Sequence, residues 1–396
     1  MLKHFFSLSL TGLIALSMTV PSKAASEFSL KGSLAGLPDS TRVALIDVED
    51  PNGKRQVIAE TIITGTDFEL KGDLKSPRMC ELAFQRYSPK REGYVTILST
   101  RVMPEPAEMT FSTELTFDSL CNSRGVDGLV KVTGSKAHDE FCEYFAQVYP
   151  AERKESDASY LSAKKYFETN DNKDTMAVYN ARKNEAIAEL IAAKRRFIAA
   201  NPSYNISGYL TQKELEKLFA YTADEIDAMV DLVKVCPDTA RVAIVNRRKN
   251  HAMRYALNRQ CPDFEVTHAD GKVEQFSSLI NPGKYTFIDF WASWCGPCRS
   301  AIPHVRELHN KYAGKLDVYS ISVDESEKPW RNAMEKEQME WAQLRLDGEK
   351  QMDEGARAFF ITTIPRLILL DDKGQVICST NRPDEVTACL AKHLGE

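Results

Sequence analysis

The residues that could do chemistry are concentrated in one stretch, Y-T-F-I-D-F-W-A-S-W-C-G-P-C-R-S-A-I-P, from Tyr285 to Pro303. It holds two cysteines, Cys295 and Cys298, and an acid, Asp289, set among apolar residues. Two thiols at this spacing can close a small ring by thiol–disulfide exchange, one sulfur attacking and the other resolving. The first turn of a helix exposes unpaired N–H groups and the positive end of the dipole, which favour thiolate over thiol. Cys295 is placed there and is the expected nucleophile; Cys298, one turn deeper, is the expected resolving thiol. Gly296 and Pro297 shape the turn, since proline suits a first helical turn. A carboxylate such as Asp289 inside an apolar run is costly unless it has a partner or a task, and burial raises its pKa. A structural disulfide and half of a zinc site are the competing readings. His304 and His309 would complete a ligand set for zinc, but the long loop between a Cys pair and a His pair is missing.

These residues need a strand and a helix to hold them. Tyr285 to Trp291 is apolar, β-branched and aromatic apart from Asp289, as a central strand covered on both faces should be. Before it, Phe264 to Val266 and Val273 to Phe276 read as a hairpin turning at Asp270-Gly271. After it come a strand over Leu316 to Val323, a helix near Pro329 to Glu337, a short strand around Trp341 to Leu346 and a helix from Met352 to Phe359. Arg366 to Leu370 and Gln375 to Ser379, separated by Asp371-Asp372-Lys373-Gly374, form an antiparallel hairpin, and Asp384 to His393 a closing helix.

The motif W-A-S-W-C-G-P-C-R in this order of elements resembles the thioredoxin superfamily, and the extra hairpin and the helix after Asp324 resemble its exported TlpA/ResA-like branch. The resemblance implies a cis proline opposite the cysteines, matched here by Thr363-Ile364-Pro365, whose loop pairs with a substrate chain. Ile364 and Pro365, with Trp294, Gly296 and Pro297, would then flank a bound polypeptide. It also implies that Asp289 takes the proton of Cys298. Some members use a Glu just after the motif, where this chain has Arg299-Ser300-Ala301. The implied activity is reduction of protein disulfides, with electrons from a membrane transporter of the DsbD/CcdA type, and neither cofactor nor metal. An oxidase or isomerase would use the same sulfurs. A peroxidase of the peroxiredoxin kind would need P-x-x-x-T-x-x-C, and Ala292 stands where its Thr should be. The non-enzyme alternative is an envelope binding or scaffold protein carrying an auxiliary redox module.

At 396 residues and 43% hydrophobic content the chain has room for two or three domains, and a net charge of −5 without a basic block gives no nucleic-acid footprint. Residues 1–25 have the shape of a signal peptide: Lys3 and His4, an apolar run from Phe5 to Val20, then Ser22-Lys23-Ala24-Ala25. Cleavage is expected after Ala24 or Ala25, and the product in the periplasm or cell envelope. Residues 26–134 carry short strands at sandwich or barrel spacing, with a turn at Asp50-Pro51-Asn52-Gly53. Residues 135–259 change to helical periodicity, Thr211–Glu214 and Thr222–Glu225 reading as capping boxes, Asn201-Pro202-Ser203 as a break, and Glu152 to Asp174 as the loosest part. Residues 260–396 form the thioredoxin-like domain. This layout, a β-rich N-terminal domain, a helical middle and a C-terminal α/β fold, resembles Bacteroidetes thiol–disulfide oxidoreductases. Of nine cysteines, seven lie outside the motif. They read as buried free thiols, with Cys80–Cys121 and Cys378–Cys389 as candidate pairs.

Overall fold

Short alternating segments build the first part of the chain. The computed structural model describes residues 26–49, 54–123, 125–169 and 173–396; the signal-like segment and the Asp50–Gly53 turn lie outside the described residues. The chain divides into two compact units that part between Tyr149 and Pro150. In the first, β1 (Glu27–Ser33), β2 (Arg42–Asp47), β3 (Gln56–Ile62), β4 (Asp67–Asp73), β5 (Cys80–Ser88), β6 (Gly93–Val102) and β7 (Glu108–Ser112) precede a single-turn helix α1 (Phe117–Cys121) and β8 (Lys131–Thr133). They form two four-stranded sheets, β4-β1-β7-β8 and β3-β2-β5-β6. Phe28, Leu30, Val43, Leu45, Phe68, Leu82, Phe84 and Phe111 pack in one core drawn from both sheets, as a sandwich requires.

Sequence reading missed β1. Only Phe28 and Leu30 mark its inward face, because the next inward position is Gly32, paired in register with Phe68 and Phe111. A Cβ there would lie 2.5 Å from the Phe68 ring, so the aromatic rings take the space a side chain would fill.

Helices follow: α2 (Lys136–Thr169), α3 (Lys173–Ala200), α4 (Asn205–Glu214), α5 (Ala223–Leu232) and α6 (Thr239–Arg254). The stretch from Glu152, read as loose, is helical as far as Thr169. Its polarity belongs to a helical hairpin: Lys154 Nζ meets Glu189 at 2.5 Å and Ser162 Oγ donates to Asn180 at 2.9 Å, so α2 and α3 run antiparallel along polar faces. Thr222 does open a helix with a reciprocal capping box. Thr211 does not. It is fully buried inside α4, which begins at Asn205, and its apparent box partner Glu214 instead accepts from Lys217 and Tyr221.

The remaining elements are β9 (Glu265–His268), β10 (Val273–Gln275), β11 (Tyr285–Trp291), α7 (Gly296–Lys311), β12 (Leu316–Ser322), α8 (Glu327–Glu337), β13 (Ala342–Arg345), α9 (Gly348–Phe359), β14 (Arg366–Leu370), β15 (Val376–Thr380) and α10 (Pro383–Leu394). One mixed sheet orders them β10-β9-β13-β12-β11-β14-β15. Its interior strand β11 runs parallel to β12 and antiparallel to β14. Opposite faces of β11 enter different cores: Phe287 and Trp291 join α7 and α10, while Ile288 and Phe290 join Phe264, Phe276 and Phe359. The second core also takes in Phe219 and Tyr255 from the helical region. Residues just past α6 continue as backbone pairing onto β15, with Asn258 N–H donating to Val376 O and Val376 N–H to Arg259 O.

Candidate active site

The end of β11 and the start of α7 are held in place before any side chain acts. Val323 N–H donates to Trp291 O at 2.9 Å, and Cys295 N–H to Ala292 O at 3.0 Å, closing the connecting turn. Asp324, only 2% exposed, grips the same turn from the end of β12. It accepts from Ser293 N–H at 2.9 Å, from Ser293 Oγ–H at 2.6 Å and from Ser322 Oγ–H at 2.7 Å. Neither Asp324 nor Ser293 was singled out from sequence; an acid ending a buried strand was the available signal.

Cys295 is the N-cap of α7, and Pro297 occupies its first turn, where a missing N–H costs nothing. Cys295 and Cys298 are joined as a disulfide. Cys295 Sγ accepts the Cys298 backbone N–H at 3.2 Å, so this sulfur sits where a helix N-terminus favours negative charge. Ile364–Pro365 is cis, and the Ile364 carbonyl oxygen lies 3.9 Å from Cys295 Sγ. Cys295 and Cys298 are both buried, whereas Gly296 and Pro297 are exposed and Trp294 is 70% exposed. Ile364 and Pro365 are half-buried. The structure thus brings Cys295, Cys298, Ile364 and Pro365 to one place, with Trp294, Gly296 and Pro297 on its open side.

Asp289 lies beneath. Strand alternation puts it on the same face of β11 as Phe287 and Trp291, the face packed against Cys298 and Ile302 of α7. It is 2% exposed, and burial pushes its carboxyl up to about 7 against the opposing effect of a Ser320 hydrogen bond. Ser320 Oγ–H donates to Asp289 Oδ2 at 3.0 Å and itself accepts from Trp341 Nε1–H at 2.8 Å. Sequence reading found the acid but not this chain of donors. Ser320 looks like an ordinary small residue in β12, and only the parallel register Asp289↔Ser320 brings the two together.

Of the histidines considered as metal ligands, His304 has its ring against Thr387 Oγ1 at 2.8 Å. Among the described residues no three His, Cys, Asp or Glu side chains gather as a metal site. The other seven cysteines are free thiols, so neither Cys80–Cys121 nor Cys378–Cys389 is a disulfide here. Cys80 is enclosed in the sandwich core while Cys121, at the end of α1, is exposed, which separates that candidate pair.

Residues 283–376 match a family described as thioredoxin-like, and residues 28–141 match one described as a domain of unknown function, DUF4369. Over 125 residues the chain is 28% identical to thiol–disulfide oxidoreductase ResA of Bacillus cereus, covering 31% of this chain and 67% of that protein. Over 69 residues it is 38% identical to the thioredoxin-like protein YneN of Bacillus subtilis, covering 17% of this chain and 39% of that one. Among solved structures, the thioredoxin domain of a thiol–disulfide oxidoreductase from Bacteroides vulgatus is 25% identical, with a TM-score of 0.31, covering 35% of this chain and 97% of that one.

Proposed function

We propose that the chain, similar over residues 283–376 to a thioredoxin-like family and over 125 residues to ResA, is a TlpA/ResA-like thiol–disulfide oxidoreductase of the thioredoxin superfamily that acts as a protein-disulfide reductase of the periplasm. The observation that carries this reading is the placing of Cys295 Sγ at the N-terminus of α7, beside the Cys298 N–H and under the Ile364 carbonyl. That arrangement stabilises a thiolate at Cys295 and leaves an edge of backbone for an extended polypeptide.

In the reduced protein the Cys295 thiolate attacks one sulfur of a substrate disulfide. The substrate's other sulfur leaves as a thiolate and takes a proton from water, and a mixed disulfide remains on Cys295. Cys298 then passes its proton to the Asp289 carboxylate and attacks Cys295 Sγ. The second substrate sulfur departs, and two electrons have moved from the dithiol to the substrate. Asp289, with a pKa of about 7, is poised to accept and return a proton at neutral pH. A membrane electron donor of the DsbD/CcdA type would restore the dithiol, and the signal-shaped N-terminus supports export to the compartment where such a donor acts. Ile364, Pro365, Trp294, Gly296 and Pro297 would contact the polypeptide, with Trp294 as the exposed apolar platform.

Two measurements test this reading. The C298S variant, reduced and mixed with a disulfide-containing polypeptide, should accumulate a mixed disulfide on Cys295, and C295S should form none; equal trapping by both would remove Cys295 from its role. Acid-quenched thiol trapping in growing cells should find the Cys295–Cys298 pair mostly reduced. A mostly oxidised pair would point to an oxidase instead.

A further inference from the structure

Two thiols outside the active site lie on facing elements. Cys378 on β15 pairs in register with Leu369, on the face of the sheet packed under α7 and α10, and Cys389 on α10 packs against the same core, both thiols half-buried at its margin. Cys389 Sγ lies 3.5 Å from the Ile377 carbonyl oxygen and 3.8 Å from His393 Nδ1, one helical turn further on. Lys392 adds positive charge on the side of Cys389, while Arg366 and Glu385 face Cys378. The two sulfurs are unequal. The neighbouring Cys378 thiol, then His393, favours the Cys389 thiolate, and the same nearness together with burial holds the proton on Cys378. A nucleophile with a resolving thiol on the strand it packs against is the arrangement a dithiol needs to close on itself.

We propose that Cys378 and Cys389 are a second dithiol–disulfide couple, independent of Cys295–Cys298, that is oxidised by low-molecular-weight disulfides and then ties β15 to α10. The Cys389 thiolate attacks one sulfur of the small disulfide, whose other sulfur leaves and takes up a proton, and a mixed disulfide forms on Cys389. Cys378 gives its proton to solvent and attacks Cys389 Sγ, releasing the second small thiol. One small disulfide becomes two thiols, and the two electrons come from Cys378 and Cys389.

The test uses the full chain carrying C295S and C298S, so the outcome is independent of the proposed reductase chemistry. The reduced protein is titrated with glutathione disulfide, quenched in acid, alkylated and digested with trypsin. Pro383 follows Arg382, so trypsin leaves residues 374–392 as one peptide containing both cysteines. The expected product is that peptide without alkyl groups and two hydrogens lighter, returning to the doubly alkylated form after dithiothreitol. Adding C378S should instead leave glutathione on Cys389, and adding C389S should leave Cys378 alkylated. A doubly alkylated peptide across the whole titration would overturn the proposal. So would a stable glutathione adduct on Cys389 with Cys378 still free.

Discussion

Asp289 is the residue at which burial and chemistry meet. Its carboxyl would ordinarily ionise near 3.8, and in the folded chain it holds its proton to about 7. Between those values the folded state binds more protons than the unfolded one, so this group's contribution to stability falls as pH rises through the window, by on the order of 4 kcal/mol. The D289N variant lacks that loss, and urea melts at pH 4.5 and pH 8 should show a smaller difference than the wild type. The same variant should slow release of the mixed disulfide by on the order of 100-fold near neutral pH, if Asp289 is the base for Cys298. An unchanged release rate would remove it from the mechanism. Ser320 offers a finer test, because its hydrogen bond lowers the Asp289 pKa. In S320A the pH midpoint of mixed-disulfide release should move upward, and Trp341 Nε1–H, left without its partner, should cost about 1–3 kcal/mol of stability. Loss of stability without a moved midpoint would make Ser320 structural only.

At the scale of elements, what matters is how one segment is handed to the next. Gly134 joins β8 to α2 with φ +88, and a Cβ there would lie 2.2 Å from the Glu108 carbonyl oxygen. G134A combines left-handed backbone with a clash against backbone that cannot rotate away, and should cost on the order of 2–4 kcal/mol in denaturant melts. The start of α5 is a milder case. Thr222 Oγ1 accepts the Glu225 N–H at 3.3 Å, and Thr222 N–H donates to Glu225 Oε2 at 2.9 Å. T222A should therefore cost about 1 kcal/mol, and a T222S variant should recover most of it. Both boxes look alike as T-x-x-E strings. Thr211 differs because Ile206 and Leu210 extend the buried helical face upstream of it, so no helix end falls there.

For the whole molecule, a β-rich first part, helices and a redox domain share one chain. The change from strand to helix falls where β8 gives way to α2, and the change to the mixed sheet falls between α6 and β9. We propose these as the working domain limits, residues 26–134, 135–259 and 260–396. Export is testable at the same scale: mass spectrometry of the mature protein from cell envelopes should find its N-terminus at Ala25 or Ser26. A retained Met1 in that fraction would mean that the segment anchors the protein instead of being removed.

Much of the redox domain was legible because its signals are local. An apolar run ending in C-G-P-C specifies a buried strand, a turn and a helix, and the position of Cys295 at that helix start follows from near neighbours alone. The isolated acid in the run was equally visible, since a carboxylate among Phe287, Ile288, Phe290 and Trp291 has few innocent explanations. Strand β1 was not legible, because its third inward position is empty and is filled by rings from two other strands. Nor was the Trp341–Ser320–Asp289 chain or the grip of Asp324 on Ser293. Each of these joins residues from different elements, so it exists only once sheet register and helix packing have been chosen. Local sequence determined which groups could react; the tertiary structure decided which groups surround them, because desolvation and long-range hydrogen bonds are properties of the folded interior and not of neighbours along the chain.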